Sequence, residues 1–96
     1  MDKTKARQIV LDELNSTYKS PGDRLVVLDY LTIEKPYGWV FFFNSERYLD
    51  TQNVIYALGG NGPVVFETAT STITRLGSAL PPEEEIRTFE QQRGLR

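Results

Sequence analysis

Apolar residues recur at Ala6, Ile9, Val10, Leu14 and Tyr18, three or four positions apart, and Lys5, Arg7, Asp12 and Glu13 fall between them. Residues at that spacing share one face of a helix, so Lys3 to Tyr18 reads as an amphipathic helix. Ser20-Pro21-Gly22-Asp23 supplies the breaker and turn chemistry that ends it.

The period then changes. Leu25 to Ile33 and Gly38 to Asn44 are rich in β-branched, aromatic and large apolar residues and predict two strands, joined as a hairpin by Glu34-Lys35-Pro36-Tyr37. With Ile33 opposite Gly38, Val26, Leu28 and Tyr30 share a face with Trp39, Phe41 and Phe43, and that face is the expected core. The opposite face carries Val27, Asp29, Leu31 and Ile33 with Val40 and Phe42, apolar except for Asp29. Phe42 is then either covered by the segment Ser45 to Leu58 or exposed at an interface. A one-residue slip or a bulge would exchange the partners across this hairpin.

Ser45 to Leu58 matches neither period and is expected to be a loop with a short helical or extended piece. Gly59-Gly60-Asn61-Gly62-Pro63 predicts a tight turn, and Val64 to Thr68 with Thr72 to Leu76 a second hairpin. Pro81-Pro82 opens a last helix. Glu83, Glu84 and Glu85 suit its N-terminal dipole, Ile86 and Phe89 form its docking side, and Gly94 follows its end. This order predicts an α+β fold: an antiparallel sheet of about four strands, with N-terminal and C-terminal helices packed on one face.

Composition acts mainly by exclusion. At 96 residues, 40% hydrophobic and 25% charged, the chain fits a single domain over residues 1–96 with one core. It has no cysteine and no histidine, which removes disulfides, thiolate and Ser-His nucleophiles and most zinc arrangements. Paired carboxylates would need a cleft that a chain of this size hardly provides, so no enzyme, metal or cofactor is expected. A net charge of −2 without a basic block argues against nucleic acid, and the lack of a long apolar run argues against a membrane span. The cytoplasm is the expected compartment. Asn15-Ser16-Thr17 reads as an accidental sequon. The glycine turn lacks the Lys-Ser/Thr of a phosphate loop, and Pro63 removes one of its donors.

The succession Gly38-Trp39-Val40-Phe41-Phe42-Phe43, Tyr48-Leu49, Gly60-Asn61-Gly62-Pro63, Leu76-Gly77-Ser78, Pro81 and Phe89-Glu90 resembles the immunity protein 35 family, also called YrhB-like. The likeness runs from about Lys3 to Gly94. The tip Glu67-Thr68-Ala69-Thr70-Ser71-Thr72 departs from it, lacking the Asp-Gly or Ser-Gly turn of relatives. The resemblance implies a small bacterial protein of a polymorphic toxin system that binds and neutralises a cognate toxin by occlusion, without chemistry of its own. Exposed aromatic and acidic side chains are the expected partner-binding residues: Asp29, Tyr37, Phe42, Glu46, Asp50 and Tyr56. The alternative is a chaperone-like holdase that uses Phe42, Val40, Leu31 and Ile33 on the second face. An unpaired strand edge or that face is also compatible with a homodimer.

Overall fold

The computed structural model describes residues 1–53 and 62–95. In chain order it contains α1 (Lys3–Thr17), β1 (Leu25–Val27), a 3-10 turn (Asp29–Leu31), β2 (Ile33–Lys35), β3 (Gly38–Phe41) and β4 (Phe43–Ser45). There follow α2 (Glu46–Thr51), β5 (Val64–Glu67), β6 (Thr72–Arg75) and α3 (Pro82–Arg93). Among the described residues, β2-β3-β5-β6 form a four-stranded antiparallel sheet in that order, and β1 pairs antiparallel with β4. The fold is α+β with helices at both ends. The helical option for Ser45 to Leu58 is realised as α2; Val54 to Leu58 and most of the expected glycine turn lie outside the described residues.

α1 begins at Asp2, whose carboxylate accepts the Lys5 backbone N–H at 2.8 Å and so satisfies one of the helix's free donors. Its stripe Ala6, Val10 and Leu14 is buried against Leu25, Val27, Trp39, Phe41, Phe43, Val64 and Phe66. Asn15 locks the end of α1 to β1: its side-chain amide donates to the Leu25 carbonyl at 3.0 Å and accepts the Leu25 N–H at 2.8 Å. The sequon asparagine is thus engaged within the fold. Trp39 packs its ring at 6.5 Å from Phe66. Its indole N–H is buried without a partner among the described residues, a cost of ~1–3 kcal/mol set against the burial of the ring.

α3 has Pro82 in its first turn and ends at Gly94, whose φ of 70° lets its N–H turn back onto the last carbonyls. Ile86 and Phe89 bury against Val40 and Val65. Those valines alternate along β3 and β5 with Trp39, Phe41, Val64 and Phe66, so α1 and α3 cover opposite faces of the sheet. The expectation of both helices on one face is corrected here. A central strand apolar on both faces needs cover on both.

The first hairpin also departs from expectation. Trp39, Phe41 and Phe43 are core residues as expected, and Phe42 lies on the other face. Their partners are different. Lys35 pairs with Gly38 and Ile33 with Val40 around a Pro36-Tyr37 turn, while Val27 pairs with Phe43. Between those two registers, five residues, Leu28 to Thr32, stand against two, Phe41 and Phe42. The excess is wound into the 3-10 turn, where the Leu31 N–H reaches the Leu28 carbonyl at 3.0 Å and the Thr32 N–H the Asp29 carbonyl at 3.1 Å. An odd insertion reverses which residues face inward. Leu25 and Val27 are therefore buried, in place of the expected Val26, Leu28 and Tyr30, and Tyr30 is 83% exposed.

Gly38 has a φ of 151°, and a Cβ there would collide with the Phe66 carbonyl oxygen. Gly38→Ala should lower unfolding free energy by about 3 kcal/mol or more, measured by urea denaturation. Wild-type stability in that variant would show that β3 and β5 do not approach this closely.

Candidate functional site

The bulge opens a cleft. Leu28 is held at its base, its N–H donating to the Phe42 carbonyl at 2.7 Å, and Leu31 projects from the 3-10 turn. Leu28, Leu31, Phe42, Phe43 and Asn44 form one wall of a hollow of about 350 Å³; Gly62, Pro63, Gly77, Ser78, Leu80 and Pro82 form the other. No ionisable side chain is among these. The far wall is firmly set: a Cβ on Gly62 would strike the carbonyls of Leu76 and Gly77, and Glu85 accepts the Leu80 N–H at 3.1 Å. Leu31 is 41% exposed, Leu80 48% and nearby Ile33 37%. Such a hollow can seat an apolar side chain of a partner. The sequence displays every residue of it but not the bulge that assembles them.

A second hollow lies where the β2–β3 turn meets the end of α3, lined by Lys35, Pro36, Tyr37, Glu90, Gly94 and Leu95. The Tyr37 hydroxyl donates to Glu90 Oε2 at 2.7 Å, and Lys35 Nζ pairs with the same oxygen at 2.9 Å. The Tyr37 ring leans on Phe89, centroids 6.0 Å apart. Burial, then the hydrogen bond and charge of Glu90, pushes the phenol well above its ordinary range. Arg93 pairs with Glu67 at 2.9 Å and lies over the Phe89 ring. These contacts clamp α3 to the sheet.

A third cluster centres on Asp23. Its carboxylate accepts from the Tyr18 hydroxyl at 3.0 Å, from the backbone N–H groups of Arg24 and Arg47 at 2.7 and 3.0 Å, and from the Ser45 hydroxyl. Ser45 is fully buried and caps α2 by accepting the Tyr48 N–H at 3.1 Å. Burial by itself raises the Asp23 pKa, but the donations from Ser45, Arg47, Arg24 and Tyr18 outweigh it and hold the carboxyl at about 2. Its partners lie from 1 to 24 residues away, a pattern without a sequence signature.

The six residues expected at an interface do not converge. Phe42 lines the cleft and packs toward Val40, Val65, Ile86 and Phe89, which partly cover it on the α3 side. Asp29 is exposed on the bulge and pairs with Arg7 of α1 at 2.6 Å. Tyr37 belongs to the α3 clamp. Glu46 opens α2 and pairs with Arg24 at 2.9 Å, and Asp50 is exposed on the same helix. Tyr56 lies outside the described residues. Leu28, Leu31 and Leu80 were absent from that expectation and stand beside Phe42 in the cleft.

A two-faced α+β layer with an open apolar cleft has the features of a binding domain. Among the described residues, no group of three or more Asp or Glu side chains is placed to hold a metal ion, and no helix is long and apolar enough to cross a membrane. Residues 4–88 match the family described as Immunity protein 35, and the chain belongs to that family. It is also similar to a protein of Escherichia coli strain K12 described as uncharacterized protein YrhB, 34% identical over 53 residues. That match covers 55% of this chain and 56% of the other, a little over half the relative's length. No solved structure matches the chain.

Tyr37→Phe should cost about 1 kcal/mol of stability in thermal or urea unfolding, because a half-buried hydrogen bond to a carboxylate is lost. An unchanged midpoint would remove Tyr37 from the clamp. Asp23 is depressed in the folded protein and titrates near ~4 when unfolded, so its contribution is complete above that value and is lost as pH falls through about 2. The stability gap between wild type and Asp23→Asn should therefore narrow between those two values in pH-resolved thermal melts. A constant gap would contradict the donations described.

Proposed function

We propose that the protein binds a cognate bacterial toxin in the cytoplasm and neutralises it by covering the toxin's active site, performing no chemistry itself. The observation that carries this reading is family membership over residues 4–88, joined to an apolar cleft with no ionisable side chain among its described lining residues. The polymorphic toxin system and the cytoplasmic compartment are part of the same proposal. Of the side chains expected at the interface, Phe42 and Asp50 remain available in this reading. Asp29, Tyr37 and Glu46 have partners within the fold, and Tyr56 lies outside the described residues. No finding favours the holdase alternative.

The test is co-expression with the toxin-like product of the neighbouring reading frame. Growth should be rescued, the two chains should copurify, and the toxin's activity should fall in proportion to added protein. Failure to bind or to protect would overturn the proposal. So would general suppression of aggregation of unrelated proteins without any effect on the toxin.

A further inference from the structure

The cleft continues beyond its own walls. Leu31 and Leu80 face its mouth, and from Leu31 the exposed surface runs along Tyr30 and Ile33 to the groove between β2 and α3, which Glu83, Ile86 and Arg87 help to line. Met1 apart, every exposed large apolar residue described belongs to this stretch. Pro82 lines the cleft and Glu83 the groove, so the first turn of α3 joins the two.

That turn is acidic. Glu83 and Glu84 are exposed and make no ion pair among the described residues, and Glu85 sits behind Leu80. Among the described residues, no lysine or arginine lines the cleft. Lys35 and Arg87 also line the groove, but Lys35 is taken by Glu90, so the three glutamates of this turn outnumber Arg87. The exposed stretch thus combines an apolar hollow with a net negative margin, and a complementary surface would carry an apolar knob beside basic side chains. A second copy of this chain fits less well, because a two-fold contact centred on the cleft brings the same glutamate turn from both copies to one interface.

Resting on the reading that this is an immunity protein, we infer that the toxin docks on this bulge face. An apolar toxin side chain enters the hollow between Phe42 and Leu80, and toxin lysines or arginines meet Glu83 and Glu84. Tyr30 and Leu31, held out by the 3-10 turn, flank the knob. Central apolar anchors carry most of the affinity in such contacts, and the charged margin sets association rate and salt dependence.

Titration calorimetry of the purified toxin against full-length variants tests this, with thermal melts confirming that each variant folds. Leu31 and Leu80 are exposed enough to change without emptying the core. The double variant Leu31→Asp, Leu80→Asp should bind about 100-fold more weakly. Glu83→Lys with Glu84→Lys should lose about 10-fold at low salt, a deficit that shrinks at high salt. Asp12→Lys, on the exposed side of α1, should stay within about 2-fold of wild type. Tight wild-type binding left unchanged by both double variants would overturn the docking surface while the immunity reading stands. A toxin that does not bind wild type overturns the immunity reading and this inference with it. A homodimer that dissociates in Leu31→Asp, Leu80→Asp while toxin affinity stays intact would assign the face to self-association and also overturn the inference.

Discussion

The rest of the structure depends on one constraint: β3 is apolar on both faces, so both must be covered. Trp39 and Phe41 turn to α1, and Val40 turns to α3. The partner strand β5 repeats the alternation with Val64 and Phe66 on one side and Val65 on the other. Neither helix is long enough to be stable alone in water, and each is held by the strip of sheet it covers. Gly38 permits this arrangement at its start, where only a residue without a Cβ lets the chain pass the Phe66 carbonyl.

The same strand sets the position of the candidate site. Past Phe41 the chain leaves the four-stranded sheet and pairs with β1, and its partner takes up the change of register in the 3-10 turn. That turn is stabilised from outside itself, by the Leu28 N–H on the Phe42 carbonyl and by the ion pair of Asp29 with Arg7. An exposed pair of this kind contributes no more than ~1 kcal/mol, so the backbone bonds and the burial of Leu25 and Val27 do more to hold the turn. A bulge is a common way to aim side chains outward at a functional edge, and here it presents Tyr30 and Leu31.

Much of this was legible in the sequence wherever one period held. The stripe Ala6, Val10 and Leu14, the opening Pro81-Pro82 with Ile86 and Phe89, the hairpin of β5 and β6, and the alternation of Trp39, Phe41 and Phe43 all follow from spacing. What failed to show was parity. Leu28 to Thr32 contains no glycine or proline, so nothing marks the point where the strand stops alternating, and one odd insertion exchanged Val26 and Leu28 for Leu25 and Val27 in the core. The second apolar face was visible in Val40 and Phe42, but the use of α3 to cover it depends on chain direction after β6. Asp23 was invisible because its partners converge only in three dimensions. For the candidate site, alternation set Phe42 and Leu31 on one face, whereas Leu28 joined them only through the bulge and Leu80 only through the path of the chain between β6 and α3.

If a register shift in one hairpin builds the surface through which this immunity family member meets its toxin, binding must leave its mark on that hairpin. Hydrogen exchange of the protein, free and in complex with the toxin, reads that mark directly. Amides of Leu28 to Lys35 and of the first turn of α3 should become protected on binding, while those on the exposed side of α1 should exchange as before. Protection confined to α1 or to α2, with Leu28 to Lys35 unchanged, would contradict it.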